Sequence, residues 1–256
     1  MILFAWRRLP PPGFIGGAEI SEGLVARSLA AAGEHVTFVG ATTNPRDPSE
    51  SWRRWLLELL DHHGVTHKVV DDRISYRWHG VECHAISQDR LLGLVNQLAG
   101  SARLLWTSQE DSPAIRAVAP NLPAASYAHS VSEVGLLSAQ LDASWALAPS
   151  RFVQQVIAKR FGVRAHLLRP PLPPEPPQKV EPRARDLVLF VNPIRDKGVQ
   201  AAVETARQLP TTKFVFVESW RTADTDLRLP ANVRLFARVP SLHALYRRAQ
   251  LLLVPP

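Results

Sequence analysis

Between Arg169 and Arg183 the chain carries seven of its 22 prolines. Each proline fixes φ near −65° and removes a backbone donor, so a run this dense favours extended polyproline geometry and enters neither a helix interior nor a central strand. Residues 170–183 therefore read as a semi-rigid linker between an N-terminal domain, 1–169, and a C-terminal one, 184–256. A recognition segment for a proline-binding module is the alternative. The strand and helix patterns on both sides of the run count against it.

On the N-terminal side, residues 1–6 have strand character, and Gly16-Gly17 opens a helix whose apolar face is drawn through Ile20, Leu24, Val25, Ser28 and Leu29. A buried-type strand follows at 35–39. Then come a helix from about 50 to 63, a strand at 65–70 and an alternating stretch, 74–86, that suggests a hairpin around Gly80. A helix at 89–99 leads to a strand at 102–106, with further strands near 124–127 and 144–147. The helix between 149 and 161 carries Phe152, Val153, Val156, Ile157 and Phe161 at core spacing. After the linker, strands at 186–191, 213–217, 233–236 and 251–254 alternate with helices that begin near Val199 and Ser241. The fold class is α/β, with mostly parallel sheets and helices on both faces. The second domain, about half the length of a doubly wound unit, is expected to be incomplete.

Composition removes several classes. With 256 residues, 46% hydrophobic and 21% charged, the chain reads as a soluble globular protein. No apolar run approaches the ~20 residues needed to cross a bilayer, and the start lacks the order of a signal peptide, so a cytoplasmic location is expected. One cysteine, Cys83, excludes an internal disulfide framework and a cysteine-rich zinc site. The net charge of +7 is spread over basic pairs such as Arg53-Arg54 and Lys159-Arg160. Solvated faces account for most of them. Binding at the inner face of a membrane stays open as an alternative, and no nucleic-acid signature is present.

Candidate site residues lie where strands end. Adjacent glycines, Gly16 and Gly17, at a helix start let backbone N–H groups approach an anion that the helix dipole favours, so a phosphorylated ligand competes with an unliganded tight turn. NAD is disfavoured, because Gly13-Phe-Ile-Gly16-Gly17 is not G-x-G-x-x-G and no acid follows the second strand. Lys197 follows the first strand of the second domain. It reads as a phosphate ligand or as an exposed helix-start lysine. Glu218 follows the next strand and could accept hydroxyl hydrogen bonds from a sugar. His129, just past the 124–127 strand, faces a cleft or serves as a turn histidine. The other histidines, including His62-His63, His67, His79 and His84, show no ligand spacing, so no metal site is expected.

Gly16-Gly17-Ala18-Glu19, the stretch 29–39, the stretch 148–156 with Phe161-Gly-Val163, Phe190 to Gly198, and Leu245 to Pro256 together resemble the GT-B-fold glycosyltransferases, in particular the large retaining family 4 (group 1). The resemblance implies two facing Rossmann-like domains with a nucleotide sugar in the cleft, the first on the acceptor side and the second on the donor side. It implies that Gly16 and Gly17 approach the donor diphosphate and that Lys197 holds it. It further implies that His129 contacts the donor sugar, and that Asn192, Arg195, Glu218, Arg238 and Val239 complete the donor site. Asn192-Pro193 stands where the family has Gly-Arg, which leaves Arg195 to substitute for the diphosphate arginine. The family's two glutamates, seven residues apart, would fall just after Pro256. These 256 residues are therefore expected to be truncated and inactive alone.

The implied reaction is hexosyl transfer from a nucleoside diphosphate sugar to a hydroxyl acceptor with retention of configuration, of the kind used in bacterial glycan biosynthesis. The nucleotide sugar is a substrate, and neither a cofactor nor a metal is implied. A nucleotide-sugar-binding module without turnover and a sugar-nucleotide epimerase of the same architecture are the alternatives.

Overall fold

In a computed structural model of the chain, the described residues are 1–13, 16–44, 47–108, 112–129, 131, 145–172, 185–218, 227–237, 239 and 242–255. The chain divides into two compact units, Met1–Pro173 and Pro174–Pro256. Among the described residues no helix is long and apolar enough to cross a membrane.

The first unit is built on β1 (Ile2–Ala5), β2 (Val36–Ala41), β5 (His67–Val70), β6 (Arg73–Trp78), β7 (Val81–Ile86), β8 (Leu104–Ser108), β9 (Ala124–Tyr127), β10 (Ala146–Ala148) and β11 (His166–Leu167). They form one sheet in the order β11-β10-β9-β8-β1-β2-β7-β6-β5. Pairing is parallel from β11 across to β7, while β6 and β5 add antiparallel strands at one edge. A short ribbon, β3 (Thr43–Asn44) with β4 (Asp47–Ser51), lies apart from this sheet and occupies the start of the helix expected from about 50. The central strands are apolar runs because both faces are covered. The expected hairpin is β6 and β7, turning at His79-Gly80, where both residues take positive φ, 46° and 86°.

The helices of this unit are α1 (Gly17–Ala31), α2 (Arg53–His62), α3 (Gln88–Ala99), α4 (Ser112–Ala117) and α5 (Arg151–Phe161). On one face of the sheet Leu3, Ala5, Val39 and Leu105 pack with Leu91, Leu94 and Val95 of α3 and Ile115 of α4. Phe4 stacks between Phe38 and Trp106, with ring centroids 5.4 and 5.0 Å away. The parallel register sets Phe4 beside both partners.

Two helix faces differ from the sequence reading. In α1 the buried residues are Glu19, Ser21, Glu22, Gly23, Val25 and Ala26, whereas Ile20 is 42% exposed and Ser28 is exposed. The stripe is rotated because both glutamates find charged or N–H partners under the helix, which offsets the cost of burying them. In α5, Val153 and Ile157 point into the core, but Phe152 is 64% exposed. Its place in the first turn puts it on the face opposite Val153 and Ile157. The Ser150 hydroxyl accepts from the Val153 N–H at 3.2 Å, an N-cap that contributes roughly 1 kcal/mol.

The loop joining β1 to α1 is held against the end of β2. Ala41 N–H donates to the Arg8 carbonyl at 3.0 Å, and the Tyr76 hydroxyl donates to the Pro11 carbonyl at 2.7 Å. Burial pushes that tyrosine hydroxyl well above its usual range. Gly40 permits the approach, since a Cβ there would sit 2.2 Å from the Arg8 carbonyl oxygen and 2.8 Å from the Pro10 nitrogen.

The second unit is a parallel sheet, β14-β13-β12-β15, made of β12 (Leu187–Val191), β13 (Phe214–Val217), β14 (Val233–Phe236) and β15 (Ala249–Leu252). Helix α6 (Val199–Gln208) buries Val199, Ala202, Val203 and Ala206 on Phe190 and Phe216. On the other face Leu187, Leu189, Val215 and Val217 meet Leu245 of α7 (His243–Arg248). The Asn232 amide donates at 2.9 Å to the carbonyls of Ala206, Leu209 and Thr212, fixing the end of α6 against the start of β14. At the far edge Arg248 grips Asp186 through both carboxylate oxygens, at 2.9 and 2.7 Å, which holds that carboxyl below its usual range.

Candidate functional site

Parallel strands present ligands to residues at their carboxyl ends, and the first unit gathers several polar groups there. Gly16 is the N-cap of α1 in extended geometry, with no side chain closing the helix end. Among the described residues, a Cβ built on Gly17 would meet nothing within 4 Å. His129 follows β9 by two residues. Its Nε2 lies 3.0 Å from Glu22 Oε1, and the histidine and glutamate side chains are 8% and 1% exposed. The second oxygen of Glu22 accepts from Trp106 Nε1 at 2.6 Å. The Tyr127 ring packs against the imidazole at 4.0 Å between centroids. Its hydroxyl donates to the Leu168 carbonyl at 2.6 Å, and burial, then the Glu22 charge, push it above its usual range.

One turn earlier on α1, Glu19 Oε1 pairs with Arg8 Nη1 at 2.6 Å. The Arg8 guanidinium carbon also lies 5.6 Å from the centre of the Trp6 ring. Glu19 Oε2 and Trp6 Nε1 are buried with no hydrogen-bond partner among the described residues, one an acceptor and the other a donor. The site of the first unit is thus the α1 start with two ordered layers beneath it, Arg8–Glu19 and Trp106–Glu22–His129.

Of the residues expected from sequence, Gly16, Gly17 and Glu19 lie at the start of α1 and His129 lies just past β9, while Glu22, Arg8 and Trp106, which the structure adds to these layers, were not singled out. A signal was available: stepping back from Ala26 by four and then three residues reaches Glu22 and Glu19, which extends the buried stripe through two acids. Apolar periodicity alone passed over it, because carboxylates are buried only when paired.

In the second unit Asn192, Arg195, Lys197 and Glu218 share the carboxyl edge of β12 and β13. Asn192 has φ 67° and is buried, with Oδ1 lacking a partner among the described residues. The position takes left-handed backbone, which asparagine tolerates. Arg195 and Lys197 bracket an exposed 3-10 turn, Arg195–Lys197, whose last N–H groups bond back to Ile194 and Arg195 carbonyls. Glu218 N–H donates to the Phe236 carbonyl at 3.0 Å, holding that residue beside β14. Val239 packs with the core of Leu187, Leu189, Val215 and Val217. Arg238 lies outside the described residues, as do 173–184 of the linker.

A recess of about 480 Å³ opens elsewhere, between the β5–β6 turn and α3, lined by Asp71, Asp72, Arg73 and Arg90 among others. Its central carboxylate is already committed. Asp72 accepts from the Ser87 N–H and hydroxyl and from Arg90 at 2.6 Å. Desolvation raises the Asp72 pKa, but these bonds outweigh it and hold the carboxyl below its usual range. The recess also lies beyond β2 and β7, on the opposite side of β1 from His129.

No protein-family model matches the sequence, and no curated protein matches it. Among solved structures, the catalytic domain of starch synthase IV from Arabidopsis thaliana, bound to ADP and acarbose, superposes with a TM-score of 0.63 at 10% identity, over 99% of this chain and 78% of that one. The glycosyltransferase SnogD from Streptomyces nogalater aligns over 98% of this chain and 75% of its own, at 14% identity and a TM-score of 0.44. With its Rossmann-like α/β units and parallel sheets, the chain has the GT-B fold.

Proposed function

We propose that the protein is a retaining glycosyltransferase of the family 4 type, moving a hexosyl group from a nucleoside diphosphate sugar to a hydroxyl acceptor without a metal ion. The observation that carries this reading is that α1 begins at Gly16-Gly17 with no side-chain cap and, further along, holds His129 through the buried Glu22, on a fold that in starch synthase IV holds ADP. ADP is the diphosphate that an ADP-sugar leaves behind.

Breaking the glycosidic bond puts negative charge on the departing diphosphate. The N–H groups at the start of α1 supply fixed dipoles suited to such charge. Lys197 is an exposed cation at the carboxyl edge of the second unit's own sheet. The acceptor hydroxyl attacks the face that the diphosphate leaves and passes its proton to a phosphate oxygen. No enzymic carboxylate nucleophile takes part. A nucleotide-sugar-binding module is the second reading, favoured by Pro193 standing where the resemblance expects the diphosphate arginine.

The test is release of nucleoside diphosphate from uridine, guanosine and adenosine diphosphate hexoses, with EDTA present. In contrast to the inactivity that the resemblance implies for these residues, release above the buffer rate, unchanged by the chelator, is expected for at least one donor. Activity abolished by EDTA and restored by a divalent ion contradicts the metal-free mechanism, and tight diphosphate binding without release establishes the binding module.

A further inference from the structure

We infer that Glu22 is a positioning residue for His129, one that fixes which ring nitrogen meets the ligand; the inference rests on the proposed function for its catalytic consequence only. Both oxygens of this carboxylate are committed, Oε1 to His129 Nε2 at 3.0 Å and Oε2 to Trp106 Nε1 at 2.6 Å. An indole N–H can only donate, so Oε2 is an acceptor. A carboxylate carries no hydrogen, so Oε1 accepts as well: the imidazole gives its Nε2 hydrogen to it, which leaves Nδ1 as the ring atom for a ligand. Tyr127 packs on the ring at 4.0 Å and restricts its rotation.

A purely structural account of Glu22 has to explain why a carboxylate, at 1% side-chain exposure, sits where an apolar residue would pack the same helix on the same sheet. Removing a carboxylate from water is costly unless it is paired and hydrogen-bonded. Val25 and Ala26 on the same helix show the apolar solution in use one turn later. The partners of Glu22 come from the surroundings of two different strands, Trp106 from the middle of β8 and His129 from just past the carboxyl end of β9. In the neutral ring Nδ1 is an acceptor, so the group it takes carries a hydrogen. A sugar hydroxyl meets that requirement, whereas a fully ionised phosphate oxygen does not.

The spectroscopic test uses the whole unmodified protein with its histidine rings labelled with ¹⁵N. Long-range proton–nitrogen correlation is expected to show His129 as a single Nε2–H tautomer, and a predominant Nδ1–H tautomer or an even mixture overturns the inference. This readout needs no turnover, so it survives a failure of the proposed function.

The kinetic test compares Glu22→Gln, His129→Ala and the double variant. Glu22→Gln is expected to lower kcat roughly 10- to 100-fold, the range for losing a carboxylate that orients a metal-ligating histidine, with little change in donor KM. In the His129→Ala background the same substitution is expected to change kcat less than about threefold. Full additivity in the double variant, with equal unfolding midpoints, overturns the positioning role. Failure of His129→Ala to alter kcat, with the Nε2–H tautomer intact, counts against the proposed function and leaves the Glu22 contact standing.

Discussion

Alanine in place of Gly40 is expected to lower the unfolding free energy by about 3 kcal/mol or more, at the severe end for a point substitution. The added Cβ would lie 2.2 Å from the Arg8 carbonyl oxygen and 2.8 Å from the Pro10 nitrogen. Both are backbone atoms, so a side-chain rotation cannot relieve the clash. Either the β2 end moves or the loop from Arg8 to Gly13 lifts off it, with loss of the Ala41 to Arg8 hydrogen bond. Because Arg8 pairs with Glu19 under the start of α1, nucleoside diphosphate affinity should fall in the same variant. Gly17→Ala is the control. With nothing within 4 Å of its Cβ, it should change stability by less than about 1 kcal/mol. Urea denaturation of both variants checks the pair, and equal midpoints for Gly40→Ala and the parent would show that the loop does not lie on β2.

Lys197→Ala is expected to weaken nucleoside diphosphate binding by about 1.5 to 3 kcal/mol, the range for a hydrogen bond to a charged group. The lysine is exposed on the turn that follows β12 and leads into α6. Removing its side chain leaves the Ile194 and Arg195 carbonyl bonds that shape the turn, since these are made by the backbone. Stability should therefore hold while affinity drops. Calorimetry with the diphosphate and with the corresponding monophosphate separates the contribution, because the monophosphate should lose less. Equal diphosphate affinity in the variant and the parent would return Lys197 to an ordinary surface charge.

The elements were legible because their signals are local. The hairpin at His79-Gly80, the apolar run of β12 and the α6 stripe Val199, Ala202, Val203 and Ala206 each announce themselves within a dozen residues, and each is observed. Boundaries were less legible. The final strand is Ala249–Leu252, earlier than the apolar run Leu251 to Val254 suggests, since Leu187 and Val188 of β12 set its register. The candidate site was legible only in its turns. Gly16-Gly17 and Lys197 are read from their local place after strand-like segments, whereas Glu22 becomes meaningful only when α1, β8 and the residues past β9 are brought together over separations of 84 and 107 positions. Phe152 failed for the opposite reason. A large apolar residue in the first turn of a helix matches core spacing but can point outward when Val153 and Ile157 already fill the inner face.

The most direct measurement is the anomeric configuration of the sugar first released when the protein is incubated with an α-linked nucleoside diphosphate hexose, read by proton NMR before mutarotation. With water as acceptor, or with a hydroxyl acceptor once one is found, the account predicts release above the buffer rate and an α-configured product. A β-configured product would contradict retention, and release at the buffer rate with every donor would contradict glycosyl transfer itself.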